Sequence, residues 1–172
     1  YENAIELNPA FAAGHYNLSI VLMQNGRADG ALAHLQRAIE INPGFGDAHR
    51  NLGALLQDKG RQDEAAVHYQ TAIEINGDDV QALNNLAFLL AAADKASLRD
   101  GKKALRLAGQ ASKLTGGSNP FILGAQAAAH AEVGDFSEAV GTLERAIPLA
   151  ESQGRADLAA LLYLVSGVLF IL

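Results

Sequence analysis

Cysteine and tryptophan are absent from this 172-residue chain, methionine occurs once and proline four times. Without cysteine there is no disulfide framework, no thiolate nucleophile, no CxxC redox pair and no cysteine-ligated zinc or iron–sulfur centre. Phe and Tyr together number ten, few for a β-rich core, which draws on branched and aromatic side chains. Positive charge is the scarcer sign. Thirteen Lys and Arg face 19 Asp and Glu for a net charge of -6, which speaks against a broad phosphate-binding face and against nucleic acid as a partner. What the chain has in quantity is alanine, 33 residues within a hydrophobic share of 49%. Disordered, collagen-like and mucin-like compositions are excluded, and so many small side chains point to closely packed helices, alanine being the best helix former.

The sequence repeats. Ala4-Ile-Glu-Leu-Asn-Pro9 returns as Ala38-Ile-Glu-Ile-Asn-Pro43 and again as Ala72-Ile-Glu-Ile-Asn-Gly77, with an offset of 34 residues each time. Residues 12–45 aligned without gaps on 46–79 are identical at 15 of 34 positions. A third unit spans 80–119 with about five extra residues around Asp94 to Asp100, a fourth spans 120–154, and 1–11 match the second half of a unit. Apolar residues fall at helical spacing twice per unit, and Gly26, Gly60 and Gly134 interrupt them where a left-handed residue ends a helix. In the second unit this predicts helices over 47–59 and 63–75. No single helix pair buries its apolar face alone, so the units are expected to stack around one continuous core.

His49-x2-Leu52-Gly53-x2-Leu56, then Ala65-x3-Tyr69 and the Asn-Pro or Asn-Gly junction, resemble the tetratricopeptide repeat (TPR) signature, with His where Trp is commonest. The first unit matches through His15, Leu18, Leu22, Ala31, Leu35 and Pro43 but has Ser19 for the usual Gly. The third keeps Leu86, Ala87, Leu90, Ala104 and Ala108, and the fourth Ala127, Ala139 and Ala146 with Gln126 in place of Leu. The resemblance covers residues 1 to about 154. It implies an all-α fold, a right-handed superhelical solenoid of stacked antiparallel helix pairs, whose first helices line a concave groove. Its expected function is that of a non-catalytic scaffold binding a protein or extended peptide.

Asn17, Asn51 and Asn85 precede the signature leucines at the same repeat position. A side-chain amide offers two donors and an acceptor, so a row of amides can hold a peptide backbone without reading its sequence. The three are similar to the asparagine ladder in the repeat arm of O-linked N-acetylglucosamine transferases, which implies as alternative function a substrate-recruiting arm of a larger enzyme such as a glycosyltransferase. The ladder stops in the fourth unit, at Ala125. The other reading of these asparagines is that they cap or bridge neighbouring helices. Further groove positions include Tyr16, Arg50 and Asn84, then Ile20, Ala54 and Phe88, then Met23, Gln57 and Ala91. Tyr16, Met23 and Phe88 are candidate anchors for ligand side chains. Chaperone-binding TPR domains use a basic carboxylate clamp instead, and Tyr16, Gln81 and Asn85 stand where its cations would be.

No catalytic group, cofactor or metal site is expected. His15 and His49 share one repeat position and His34 and His68 another, but equivalent positions on stacked helices lie about 8–10 Å apart, too far for one ion at about 2 Å from each ligand. They read as packing residues, as does His130. Asp63-Glu64, Asp78-Asp79 and Glu144 fall at turns or outward positions, where first-turn carboxylates favour the helix dipole. Ser97-x2-Asp100 reads as a capping box opening the second helix of the third unit.

Tyr1 stands in the register of Tyr69, so the chain is expected to begin inside a second helix and to be a piece of something longer. Residues 158–172 carry no charge. Fifteen residues fall short of the roughly 20 that span a membrane. Residues 155–172 are expected to form an apolar capping helix whose outer face meets a second copy or another domain. A truncated membrane anchor and an atypical terminus are the alternatives. An acidic, cysteine-free solenoid fits the cytoplasm.

Overall fold

A computed structural model of the chain describes the backbone of residues 2–169 and the side chains of residues 5–162. Ten α-helices are present among the described residues: α1 (Glu2–Leu7), α2 (Ala12–Gln24), α3 (Ala28–Ile41), α4 (Gly46–Asp58), α5 (Gln62–Ile75), α6 (Val80–Ala92), α7 (Gly101–Leu114), α8 (Pro120–Glu132), α9 (Phe136–Ser152) and α10 (Ala156–Leu169). Helices α2 and α3, α4 and α5, α6 and α7, and α8 and α9 pack as pairs. The all-α, helix-pair class expected from the repeat is the class observed. The chain divides into two compact units, Tyr1–Gly77 and Asp78–Leu172.

Three of the four pairs turn on one device. Gly60 sits at φ 74°, a left-handed conformation that costs glycine little and other residues more. The Arg61 N–H then reaches back to the Leu56 carbonyl at 2.9 Å and the Gly60 N–H to Gln57 at 2.9 Å, the Schellman arrangement that closes a helix. Gly26 and Gly134 repeat it, with Arg27 donating to Leu22 and Asp135 to His130, both at 2.8 Å.

The third pair lacks that glycine. Residue 95 would be the donor if the 34-residue period held, but the chain runs through a 3-10 turn at Ala96–Leu98, and the Asp100 N–H donates to the Leu90 carbonyl at 2.8 Å. Leu90 occupies the place of Leu22 and Leu56, so the five added residues loop out and rejoin at the same carbonyl. The capping box expected from Ser97 does not form. Asp100 is itself the N-cap of α7 and accepts from the Lys103 N–H at 2.9 Å. Helix α7 therefore starts three residues after the box would have opened it. Asp100→Ala is expected to lower stability by about 1 kcal/mol, whereas Ser97→Ala leaves the urea midpoint unchanged. Equal losses would return the cap to Ser97.

Each unit is packed on small residues. Ala31, Ala65, Ala104 and Ala139, where the helices of a pair meet, and Ala38, Ala72, Ala111 and Ala146, further along the second helix, all have 0% exposure. Larger side chains are matched pair by pair. A Cβ at Gly53 would lie 2.8 Å from two ring carbons of Tyr69 and 3.2 Å from the Ala65 carbonyl oxygen, so glycine on α4 makes room for tyrosine on α5. The Tyr69 hydroxyl donates to Gln57 Oε1 at 3.0 Å. In the first pair the two aligned positions are Ser19 and Leu35, both buried, and the Ser19 hydroxyl donates to the Tyr16 carbonyl at 2.6 Å. The bulk lost from α5 to α3 is partly returned from α4 to α2.

In the second unit, Leu123 and Ala127 of α8, Leu143 and Ile147 of α9, and Leu158, Ala159 and Leu162 of α10 form one buried cluster. Leu158, Ala159 and Leu162 of the apolar C-terminal segment thus pack inward, while Leu161 is exposed. The side chains of residues 163–172, most of the segment expected to meet a second copy, lie outside the described residues, as does Tyr1. No helix is long and apolar enough to cross a membrane among the described residues.

Candidate functional site

On α2, Leu18 and Leu22 point into the unit. At about 100° per residue, Tyr16, Asn17 and Ile20 fall on the opposite side of the helix. All three are half-buried, as is Met23. Tyr16 meets the junction before the next repeat and the first helix of that repeat. The Tyr16 ring lies against Phe45 with centroids 4.8 Å apart, and Asn51 Nδ2 donates to the Tyr16 hydroxyl at 3.3 Å. Arg50 bonds Asp47 at 2.7 Å with its side chain 17% exposed. The first unit thus brings Tyr16, Asn51 and the junction residue Phe45 into one cluster. Asn51 bridges adjacent first helices, the alternative reading of the ladder, yet one amide hydrogen and its carbonyl oxygen are not used in that bond.

In the second unit Asn84 and Asn85 are half-buried on α6 and Phe88 is 44% exposed. Asn84 Oδ1 is sealed from solvent without a hydrogen-bond partner among the described residues. On α8 the ladder position is Ala125, which packs with Ala87 and Ala108 in a three-helix alanine junction. An amide there would be buried in an apolar contact, a physical reason for the ladder to stop.

The histidines are arranged differently from the expectation that compared equivalent positions. His15 pairs with His34 inside its own repeat, Nδ1 to Nδ1 at 2.9 Å, and His49 pairs with His68 at 3.0 Å. Their ring centroids are 5.2 Å apart in both pairs. His15 Nε2 lies 3.3 Å from the Pro9 carbonyl and His49 Nε2 3.1 Å from the Pro43 carbonyl. A carbonyl only accepts, so Nε2 carries the hydrogen. Nδ1 of a neutral His15 or His49 is then the acceptor, and His34 or His68 donates. Each pair ties both helices of a repeat to the Asn-Pro junction before it. The signal is a 19-residue spacing present twice, replaced at both members together in the third repeat by Leu83 and Leu107.

Burial holds the His68 pKa below the ordinary histidine value, with His49 adding to the effect and Glu64 opposing it. His130 belongs to no such pair; its Nδ1 is 3.7 Å from Asp135. No group of three or more His, Cys, Asp or Glu side chains converges on a metal position among the described residues.

A family model described as TPR repeat matches residues 21–60 and 55–93. No curated protein matches the chain. Among solved structures the chain is similar to MamA, with a TM-score of 0.74 at 18% identity over 90% of this chain and 87% of that one. It is also similar to MamA 41-end from Desulfovibrio magneticus RS-1, at 0.69 and 13% over 92% and 94%. A third likeness is to TTC0263, a thermophilic TPR protein of Thermus thermophilus, at 0.64 and 20% over 90% and 89%. At these identities the likeness is one of fold. With the paired helices, it makes this an all-helical chain with the fold of solved TPR solenoids, and residues 21–93 are the part that matches the TPR repeat model.

Proposed function

We propose that the chain is a non-catalytic scaffold that holds a protein segment or extended peptide against the first helices of its repeats. The observation that carries this reading is the cluster of Tyr16, Phe45 and Asn51, a half-buried aromatic pair beside an amide with unused bonding capacity. Such a cluster takes an apolar side chain on the rings while the amide bonds the ligand backbone. Asn17 and Arg50 flank it in the first unit, and Met23 lies on the same side of α2, two turns further on. Asn84, Asn85 and Phe88 offer the same pairing of amide and aromatic ring in the second. The alternative, a recruiting arm of a larger enzyme, uses the same residues and differs in what is fused to them.

Capture from a pool of biotinylated peptides about 15 residues long tests the reading. Asn17→Ala, Asn51→Ala and Asn85→Ala combined are expected to reduce capture at least tenfold, a loss of about 1.4 kcal/mol or more. Equal capture by parent and variant removes the asparagines from the site. The complete coding sequence separates the two functions, since only the second requires a catalytic domain.

A further inference from the structure

Charge is distributed unevenly. Six of the chain's 13 Lys and Arg fall between residues 95 and 113, where Asp100 is the only carboxylate, leaving seven cations against 18 carboxylates in the rest. Four of the six, Lys102, Lys103, Arg106 and Lys113, lie on α7, which contains no Asp or Glu. Gly101, Ala104, Ala108 and Ala111 form its buried stripe. At about 100° per residue the four cations spread over roughly 100° centred opposite that stripe. Lys102, Arg106 and Lys113 are exposed and Lys103 is half-buried. None of the four has an ion-pair partner among the described residues, whereas Arg37, Arg50, Lys59, Arg61, Arg99 and Arg155 each hold a carboxylate at 2.6–3.5 Å.

The repeats supply an internal control. Aligned through Ala65 and Ala104, Asp63, Glu64 and Glu74 of α5 become Lys102, Lys103 and Lys113 of α7, a reversal of sign at three positions. First-turn acids also occur in α3, at Asp29, and in α9, at Glu138. The helix dipole favours acids in the first turn and disfavours cations. Lys102 and Lys103 therefore work against their own helix: the Asp100 carboxylate caps it through the Lys103 N–H, but neither ammonium has an ion pair among the described residues. A local rule broken without an internal gain points to a contact outside the chain.

We infer that the outer face of α7 is a docking surface for an acidic segment of a partner protein. At about 1.5 Å per residue, Lys102, Arg106 and Lys113 are spaced roughly 6 and 10 Å apart along the helix. A line of separate point charges suits a chain carrying carboxylates at intervals, whereas a lone phosphate needs donors that converge on it. Duplex DNA or an anionic membrane presents charge over an area larger than one helix face, and outside residues 95–113 the chain carries 18 carboxylates against seven cations. The surface lies on a second helix, shares no residue with the proposed peptide site and does not depend on that site.

The test uses the full chain and a fluorescein-labelled peptide of about twelve residues in which Glu alternates with Ser. Saturable binding that weakens about tenfold as salt rises from about 50 to about 200 mM is expected. Lys102→Asp, Lys103→Glu and Lys113→Glu combined restore the second repeat's residues and are expected to weaken binding more than tenfold. Helix content should stay the same and the melting midpoint should stay or rise. Replacing all four cations with Gln is the milder variant and should show the same loss. Unchanged affinity in either variant overturns the inference. So does binding of phosphatidylserine vesicles, short duplex DNA or a Lys-for-Glu peptide at the affinity of the acidic one.

Discussion

Serine at position 53 destabilises the chain by about 2 kcal/mol, as overpacking of a filled core does. Its Cβ meets the Tyr69 ring at 2.8 Å, and the Ala65 carbonyl blocks the other side. Leucine at position 69 costs a similar amount by the opposite route. It opens space beside Gly53 and leaves Gln57 without the tyrosine hydroxyl, a cavity and a lost hydrogen bond together. The double variant Gly53→Ser with Tyr69→Leu recreates the pairing of Ser19 with Leu35, and its loss should fall below either single one. Urea unfolding of the four proteins followed by circular dichroism measures the coupling, expected at about 2 kcal/mol. Additive losses would show that the two positions do not set each other's size.

The second large effect concerns the histidine pairs. His49→Leu leaves the His68 Nδ1–H without its acceptor and the Pro43 carbonyl without its donor. A loss of about 1–2 kcal/mol follows from leaving the half-buried His68 donor unpaired and the Pro43 carbonyl without its partner. Leucine at both 49 and 68 copies Leu83 and Leu107 of the third repeat and should recover most of that loss. His68 also sets a pH dependence. His68 has a folded pKa below its unfolded value, so on acidification the unfolded chain takes up the proton first. Stability is complete above the unfolded histidine value of about 6.5 and is lost as pH falls from there toward the folded value. Urea midpoints between pH 8 and 5 should fall less steeply for the double leucine variant, which keeps only the His15 and His34 pair. Parallel curves would mean that the second pair stays outside the titration.

The helix pairs, their turns and their small core residues are legible in the sequence because the 34-residue period superposes them. Gly60 and Ala65 mean little alone, but Gly26 and Ala31 repeat them. The same habit of comparing equivalent positions hides what happens inside one repeat. It sets His15 beside His49 and misses His34, which helix pairing brings to 2.9 Å. It also treats Gly53 as a small residue of the signature and not as half of a size match with Tyr69. The insertion misleads for another reason. Ser97 and Asp100 have the spacing of a capping box, but the Asp100 N–H is claimed by the Leu90 carbonyl, and that long-range bond fixes where α7 begins. Of the candidate groove, residue types and register are legible. The contact of Tyr16 with Phe45 is not, because Phe45 belongs to a junction and to no helical stripe.

The bond from Asp100 to Leu90 has a practical consequence. The helices on either side are held by a closure that depends on residues 90 and 100 and not on the length of chain between them. Lengthening a surface loop costs little conformational entropy, since the cost grows only with the logarithm of its length. Residues 94–99, almost all exposed, are therefore where a reporter peptide, a protease site or new chain ends can be spliced into this protein without the neighbouring helices losing their register.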